Sequence, residues 1–481
     1  MKWIEDAIRN LGASLHPVPC ELNALDWKSG LSPKSERLAQ HMSAFANNEG
    51  GGFFAFGVNN DATRCEIDQK TADDIVTKLG NIAKHNLFRP IKIEHTLKDF
   101  EGSPVLFVHV PEQPDKPIYL RGGDIYDSYY RSAGSTHKMP RQMVANMIAK
   151  SQGVSFEMMT AKEGISADEI SKLINVREFF KMIGKPMPDS ADKIAEQCSN
   201  YNLCESNGDK WNITNLGALL FAYDFRDFRH LEFKYILVRR YEGTNNRNLI
   251  SEKFFYEGYA VSLSKIVEHT MSLLPKKEII QKVQRENIPT YPEVAIRELA
   301  ANMQIHQNFE ISGMSNTIEI FTNRLTITNP GSPLIDTDRF IDMPPKSRNE
   351  KLAQAMFLFN LCERRGSGMD RAVEGVEKLC LPAIKVEKGD EFTRVSMYPQ
   401  KDYTQMTKEE KVLACYQHTC LLNEDGIQLT NQSLRERLGI SKNNSATASR
   451  IIAEVVDLGL IKPFDQDGGS KKFSSYIPFY A

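Results

Sequence analysis

The chain has 481 residues, with 60 basic against 62 acidic side chains, a formal net charge of −2 and eight cysteines. Hydrophobic residues at 41% and charged residues at 25% are the balance of an ordinary folded chain, which excludes the disordered and fibrous classes. So small a net charge gives no global field to draw nucleic acid, so any such binding must be local.

At about 150 residues per domain the length predicts roughly three domains. Glu5 and Asp6 near the start and the lack of a continuous apolar stretch there argue against a signal peptide. No run approaches the roughly 18 apolar residues that span a bilayer, so a soluble, cytoplasmic chain with no membrane partner is expected. Of the cysteines, only Cys415 and Cys420 come near zinc-ligand spacing, and no second pair completes a site; buried, reduced thiols are expected.

In chain order, residues 1–150 read as an α/β unit. It has a helical start, a strand around Glu21 to Trp27, a helix over Glu36 to Asn47, a buried strand from Phe53 to Val58 and another from Val105 to Val110. Residues 151–275 are mixed: Ser166 caps a helix predicted to run to about Ile183, and a strand fits Phe233 to Arg240. Residues 276–400 alternate again, with a helix over Glu293 to His306, strands at Thr317 to Phe321 and Leu325 to Thr328, and a late strand at Phe392 to Tyr398. The polar stretch Lys401 to Met406 reads as a linker. Residues 405–481 then give helices at Lys408 to Tyr416, Asn431 to Leu438 and about Asn444 to Leu458, closed by two short strands.

Glu298, Asn302 and His306 recur at steps of four on the predicted helix and so lie along one face, while Leu299, Ala300, Met303 and Ile305 seat it in a core. A carboxylate there polarises water for attack on a phosphate, and an amide oxygen completes a magnesium shell. On spacing alone, a solvated face with satisfied polar groups is an equal alternative. Downstream, Asn329-Pro330-Gly331 ends a strand in a turn, and Ser347-Arg348-Asn349 and Arg365-Gly366-Ser367-Gly368 supply glycines that let amides approach phosphates, with arginine charge beside them.

In this order these segments resemble the Bergerat-type ATP-binding fold shared by gyrase, histidine kinases and mismatch-repair MutL, and above all its divergent branch in RecG-like putative transcriptional regulators. The resemblance implies ATP and magnesium as cofactors. Glu298 would be the general base of any ATP hydrolysis and Asn302 the magnesium ligand, with Asn329 and Gly331 on the adenine side and His306, Arg348, Gly366 and Gly368 around the nucleotide. Two departures stand out: Asn329 replaces the usual aspartate, and Gln307-Asn308 follows His306 where the branch carries arginine and aspartate.

Asp26 and Lys28, two apart on a strand, share a face and on spacing alone pair across water. The block from Glu21 through Asn47-Asn48-Glu49-Gly50-Gly51 and Phe56-Gly57-Val58 to Tyr130-Arg131-Ser132 resembles the Schlafen-type AlbA domain. Nuclease members of that superfamily imply Glu21 and Asp26 as metal ligands with Lys28 beside them. The third carboxylate is displaced here, since Asn59-Asn60 precede Asp61.

The C-terminal pattern is that of a winged helix-turn-helix. Its third helix offers Lys442, Asn443, Asn444 and Arg450, flanked by Arg435, Arg437, Lys471 and Lys472, which suit phosphates and base edges; protein contact alone is the competing use. The expectation is an α/β (α+β) multidomain chain: AlbA-type domain, intermediate segment, Bergerat-like α/β sandwich and winged helix. Its function would be an ATP-binding, nucleic-acid-binding regulator, in transcription or phage defence, whose nucleotide state modulates DNA binding. RNA is a further partner for the AlbA-type domain, and self-association is expected only by analogy. The alternative is an ATP-gated, metal-dependent nuclease acting on RNA or DNA.

Overall fold

The computed structural model of the protein describes residues 2–16, 19–20, 22–59, 61–151, 153–280, 285–362, 368–464 and 475–481. The chain divides into two compact units, Met1–Phe156 and Glu157–Ala481, of mixed α/β character.

In the first unit, helix α1 (Lys2–Leu15) and strand β1 (Leu25–Lys28) precede α2 (Ser35–Asn47), β2 (Gly52–Phe56), α3 (Gln69–His85) and a hairpin of β3 (Glu94–Phe100) and β4 (Ser103–Val110). The sheet runs β1-β2-β4-β3, with β1 parallel to β2 and the other pairs antiparallel. Every residue of β2 is buried. Strand alternation sends Phe54 and Phe56 toward Leu38, Met42 and Phe45 of α2 and Leu79 of α3, and sends Phe53 and Ala55 toward Ala7 and Leu11 of α1. A strand covered on both faces needs an unbroken apolar run, which is why Gly52–Phe56 shows no alternation in sequence. A second hairpin, β5 (Tyr129–Ser132) and β6 (Ser135–Lys138), and helix α4 (Arg141–Ser151) complete this unit.

The second unit opens with β7 (Thr160–Ile165), α5 (Ala167–Leu173), α6 (Val176–Met182), α7 (Ala191–Asn200), β8 (Cys204–Asn207) and β9 (Lys210–Thr214), whose strands form a sheet of order β7-β9-β8. The single helix expected from Ser166 to Ile183 is in fact two. Ile174 leaves the helix to bridge to Ala222, and the Asn175 side chain then accepts from the Glu178 amide to start α6.

After α8 (Asn215–Phe221) come β10 (Ile236–Glu242), β11 (Asn248–Phe255), α9 (Tyr259–Leu273), the pair β12 (Lys276–Ile280) and β13 (Arg285–Pro289), α10 (Glu293–His306), β14 (Asn316–Ile320) and β15 (Leu325–Pro330). They are followed by α11 (Glu350–Leu358), α12 (Gly368–Lys378), β16 (Lys385–Lys388) and β17 (Phe392–Met397). Six of these strands build one sheet of order β11-β10-β14-β15-β17-β16, parallel at β10–β14 and antiparallel elsewhere. Helix α10 packs on α9, α12 and β15.

The chain ends in α13 (Lys408–Glu424), α14 (Asn431–Leu438), α15 (Ser445–Asp457) and the pair β18 (Ile461–Pro463) and β19 (Tyr476–Pro478). Cys415, Leu434, Leu438, Ala448, Ile452 and Val455 share their core. The expected linker before them is packed instead: Met406 is buried in that core, and Lys401 pairs with Glu410 at 2.6 Å. No helix among the described residues is long and apolar enough to cross a membrane.

Candidate functional site

Helix α10 begins after Tyr291-Pro292, with Glu293 in its first turn where a negative charge favours the helix dipole. At its other end Asn349 Nδ2 donates to the carbonyls of Ile305 (2.7 Å) and Gln307 (2.8 Å), which have no intrahelical partner. Gln307 Nε2 donates to Tyr259 Oη, which donates to the Lys234 carbonyl, and Lys234 Nζ reaches the carbonyls of Phe309 and Ile311. Burial pushes the Lys234 ammonium down to about 8. This chain of buried polar groups fixes the end of α10, and so the positions of the side chains it carries.

Beside α10 lies a cavity of about 680 Å³, within the range of small-molecule sites. Glu298, Asn302 and His306 line it from α10, Ile327 and Asn329 from β15, Thr393 and Val395 from β17, and Gly368 from the start of α12. The polar stripe thus faces a hollow, not bulk solvent. Glu298 is buried, with Arg371 Nη1 3.9 Å from its Oε1. A Cβ on Gly368 would sit 3.0 Å from Glu298 Oε2 and 3.6 Å from Asn302 Nδ2, so the missing side chain lets the start of α12 lie against both. His306 is pushed down to about 4 by burial and then by the Arg348 charge, and is therefore neutral at physiological pH.

Arg348 Nη2 donates to the Ser332 carbonyl at 2.9 Å. Gly331 has φ of +101°, and a Cβ there would meet the Cβ of Asn308 at 2.9 Å, so both backbone and space require glycine in the turn after Asn329. Gly366 lies outside the described residues. The sequence reading missed Arg371 and the apolar wall of Leu334, Ile335, Phe340 and Met343. Its signal was an apolar spacing in residues 333–345 that follows no helical or strand period.

In the first unit Asp26 is fully buried. Lys28 Nζ lies 3.1 Å from its Oδ1 and 3.0 Å from its Oδ2, and His41 Nδ1 lies 3.4 Å from Oδ2. His41 is also buried, near Thr136 Oγ1 (2.9 Å) and Arg131 Nη1 (3.2 Å). Burial pushes its imidazole down to about 4 against the pull of Asp26, with Lys28, Arg131 and Arg37 adding to the depression, so it is neutral at physiological pH.

Asp26 and Lys28 pair as their spacing suggests, but the pair is not laid on an exposed face: Asp26 is buried beneath a partly exposed Lys28. Asp61 is exposed, its carboxyl held below the usual range by Thr63. Glu21 lies outside the described residues, and no group of three potential ligands among His, Cys, Asp and Glu could hold a metal among the described ones.

At the C-terminus Lys442, Asn443 and Asn444 form an exposed turn into α15, Arg450 is exposed on that helix, and Arg435 is half-buried with its Nε donating to Asn431 Oδ1. Arg437, expected on the same surface, is instead turned inward. It is buried, Nη2 donates to the Leu381 carbonyl at 2.8 Å, and Nε lies 3.0 Å from Glu377 Oε1. Its position beside Leu434 and Leu438 on α14 puts it on the core face, leaving no guanidinium for a phosphate. Lys471 and Lys472 lie outside the described residues.

Residues 313–397 match the family described as the putative ATP-dependent DNA helicase RecG C-terminal, and residues 21–140 match the Schlafen AlbA_2 family. The first match takes in Asn329, Gly331, Arg348 and Gly368 but begins after α10. No curated protein matches the chain. Among solved structures, the DIP2311 protein from Corynebacterium diphtheriae is 15% identical over 99% of this chain and 96% of that one, with a TM-score of 0.42. The N-terminal domain of a putative ATP-dependent DNA helicase RecG-related protein from Nitrosomonas europaea is 22% identical over 28% of this chain and 91% of that one, with a TM-score of 0.21. The two family matches are partial, and nucleotide- and nucleic-acid-related in kind.

Proposed function

We propose that this protein is an ATP-binding regulator that engages nucleic acid, with DNA at its C-terminal helices, and that its nucleotide state alters that engagement. The observation that carries this reading is the convergence of Glu298, Asn302, His306, Asn329 and Gly368 on one cavity. In this layout residues 1–150 form an AlbA-type domain and 151–275 an intermediate segment. Residues 276–400 form the Bergerat-like ATP-binding domain and 405–481 the winged helix.

The donor set fits magnesium, which takes oxygen ligands: the Asn302 amide oxygen and the Glu298 carboxylate are both hard donors lining the cavity. Asn302 would hold the ion, which when bound neutralises phosphate charge. Glu298 accepts a proton from water in any slow hydrolysis, neutral His306 offers hydrogen bonds without charge, and the Asn329 amide oxygen accepts the adenine amino proton. Arg348 adds positive charge beside the turn at Gly331.

Lys442, Asn443, Asn444, Arg435 and Arg450 supply the DNA-facing groups. The nuclease alternative needs Asp26 on a metal, and its burial beneath Lys28 weighs against it.

Ligand-dependent DNA binding requires that ATP prefer one of two conformations. Fluorescence anisotropy of labelled duplex DNA, with and without ATP and magnesium across a salt series, tests this. An affinity that falls steeply with salt and shifts on the order of fivefold or more with nucleotide supports the reading. Nucleotide-independent DNA binding, or labelled DNA or RNA cut in the presence of magnesium, contradicts it.

A further inference from the structure

The segment between β15 and α11, residues 332–347, has two faces. Leu334, Ile335, Phe340 and Met343 line the cavity. The residues set between them turn the other way: Ile341 packs into the C-terminal core, the Asp338 carbonyl accepts from Tyr416 Oη at 2.6 Å, and the Arg339 guanidinium lies 4.2 Å from the Tyr480 ring centroid. A short 3₁₀ turn at Thr337–Arg339, with the Met343 amide bonded to the Arg339 carbonyl at 3.0 Å, makes the two faces parts of one folded piece.

Helix α12 repeats the arrangement. Gly368 at its start lies against Glu298 and Asn302, while Glu377 near its end meets His418 Nδ1 of α13 at 2.9 Å and Arg437 Nε of α14 at 3.0 Å. The Gln417 side chain of α13 exchanges hydrogen bonds with both backbone groups of Ile384, just beyond α12. Tyr416 and Cys415 in turn share a core with Ala448, Ile451 and Ile452 of α15, the helix that carries Arg450.

We propose that residues 332–347 and helix α12 form a two-faced strap that transmits occupancy of the cavity to the C-terminal helices. This rests on the nucleotide reading of the cavity. A ligand that displaces Phe340 or Met343 moves the same 3₁₀ turn whose other side holds Tyr416 and Tyr480. Packed elements of this kind shift between discrete arrangements and do not deform continuously. By linkage, DNA bound to the C-terminal helices alters nucleotide affinity by the same factor.

The test uses the full chain and the variants Tyr416→Phe, which removes one hydroxyl, and Arg339→Gln, which removes the cation above Tyr480 together with its ion pair to Asp342. ATP with magnesium is titrated by calorimetry, DNA affinity is read with and without nucleotide, and amide exchange is followed in α10, in residues 332–347 and in α13. The expected result is that both variants bind ATP and DNA separately as the wild type does, while the nucleotide-induced change in DNA affinity falls toward onefold. In the wild type, ATP should alter exchange in α13 as well as in α10.

Protection of α10 with no change in α13, or undiminished coupling in both variants, overturns the strap and leaves the nucleotide reading standing. Absence of any ATP binding in the wild type overturns both, and calorimetry alone identifies that case.

Discussion

Asp370 sits in the first turn of α12, its Oδ1 buried with no hydrogen-bond partner, and its carboxyl is pushed up to about 6 by burial and then by Glu424. Replacing it with asparagine keeps the shape and removes the ionisation. Because the folded-state value lies above the ordinary 3.8, the folded chain holds this proton more tightly than the unfolded chain. The wild type then carries no penalty when both states are protonated. It loses stability as pH rises from about 4 through 6, and pays the full penalty above that.

At 1.36 kcal/mol per pH unit the shift would cost about 3 kcal/mol, and the partly solvated setting reduces this to about 1–2 kcal/mol. Denaturant titrations of wild type and Asp370→Asn at pH 4, 6 and 8 measure it. The variant should be more stable by about 1–2 kcal/mol at pH 8, with the gap shrinking to a few tenths of a kcal/mol by pH 4. A gap that is constant with pH, or that opens toward acid, would refute the assignment of the strain to this carboxylate.

Arg437→Met should cost about 1.5–3 kcal/mol, because Glu377 keeps His418 but loses its buried guanidinium, seen as a lower thermal midpoint. Arg450→Ala, on the exposed face, should leave the midpoint unchanged and reduce the salt slope of DNA binding by about one. Gly331→Ala should destabilise by about 1–3 kcal/mol through its backbone angle and the contact with Asn308, measured by urea titration.

Helix α10 was legible because its apolar and polar residues follow one period over four turns, and its bounds coincide with the expected ones. The same logic failed between Ser166 and Ile183, where a long-range bridge from Ile174 to Ala222 outweighs local helix propensity. The inward turn of Arg437 has a signal in the sequence. The residue's spacing from Leu434 and Leu438 places it on the buried face, but an arginine close in sequence to Lys442, Asn443 and Asn444 reads first as a phosphate contact. The sealed state of Asp26 was beyond sequence reach, since it depends on His41 and Arg131 arriving from elsewhere in the chain. The two-faced segment 332–347 was equally hidden: its residues answer to two partners at once and so keep no single periodicity.

The most direct test of the central claim is calorimetric titration of ATP with magnesium into the wild type and Asn302→Ala. Saturable binding in the wild type that is lost in the variant, with the fold retained, is the predicted result. No binding in the wild type, or equal binding in the two, would contradict the assignment of the cavity to a nucleotide.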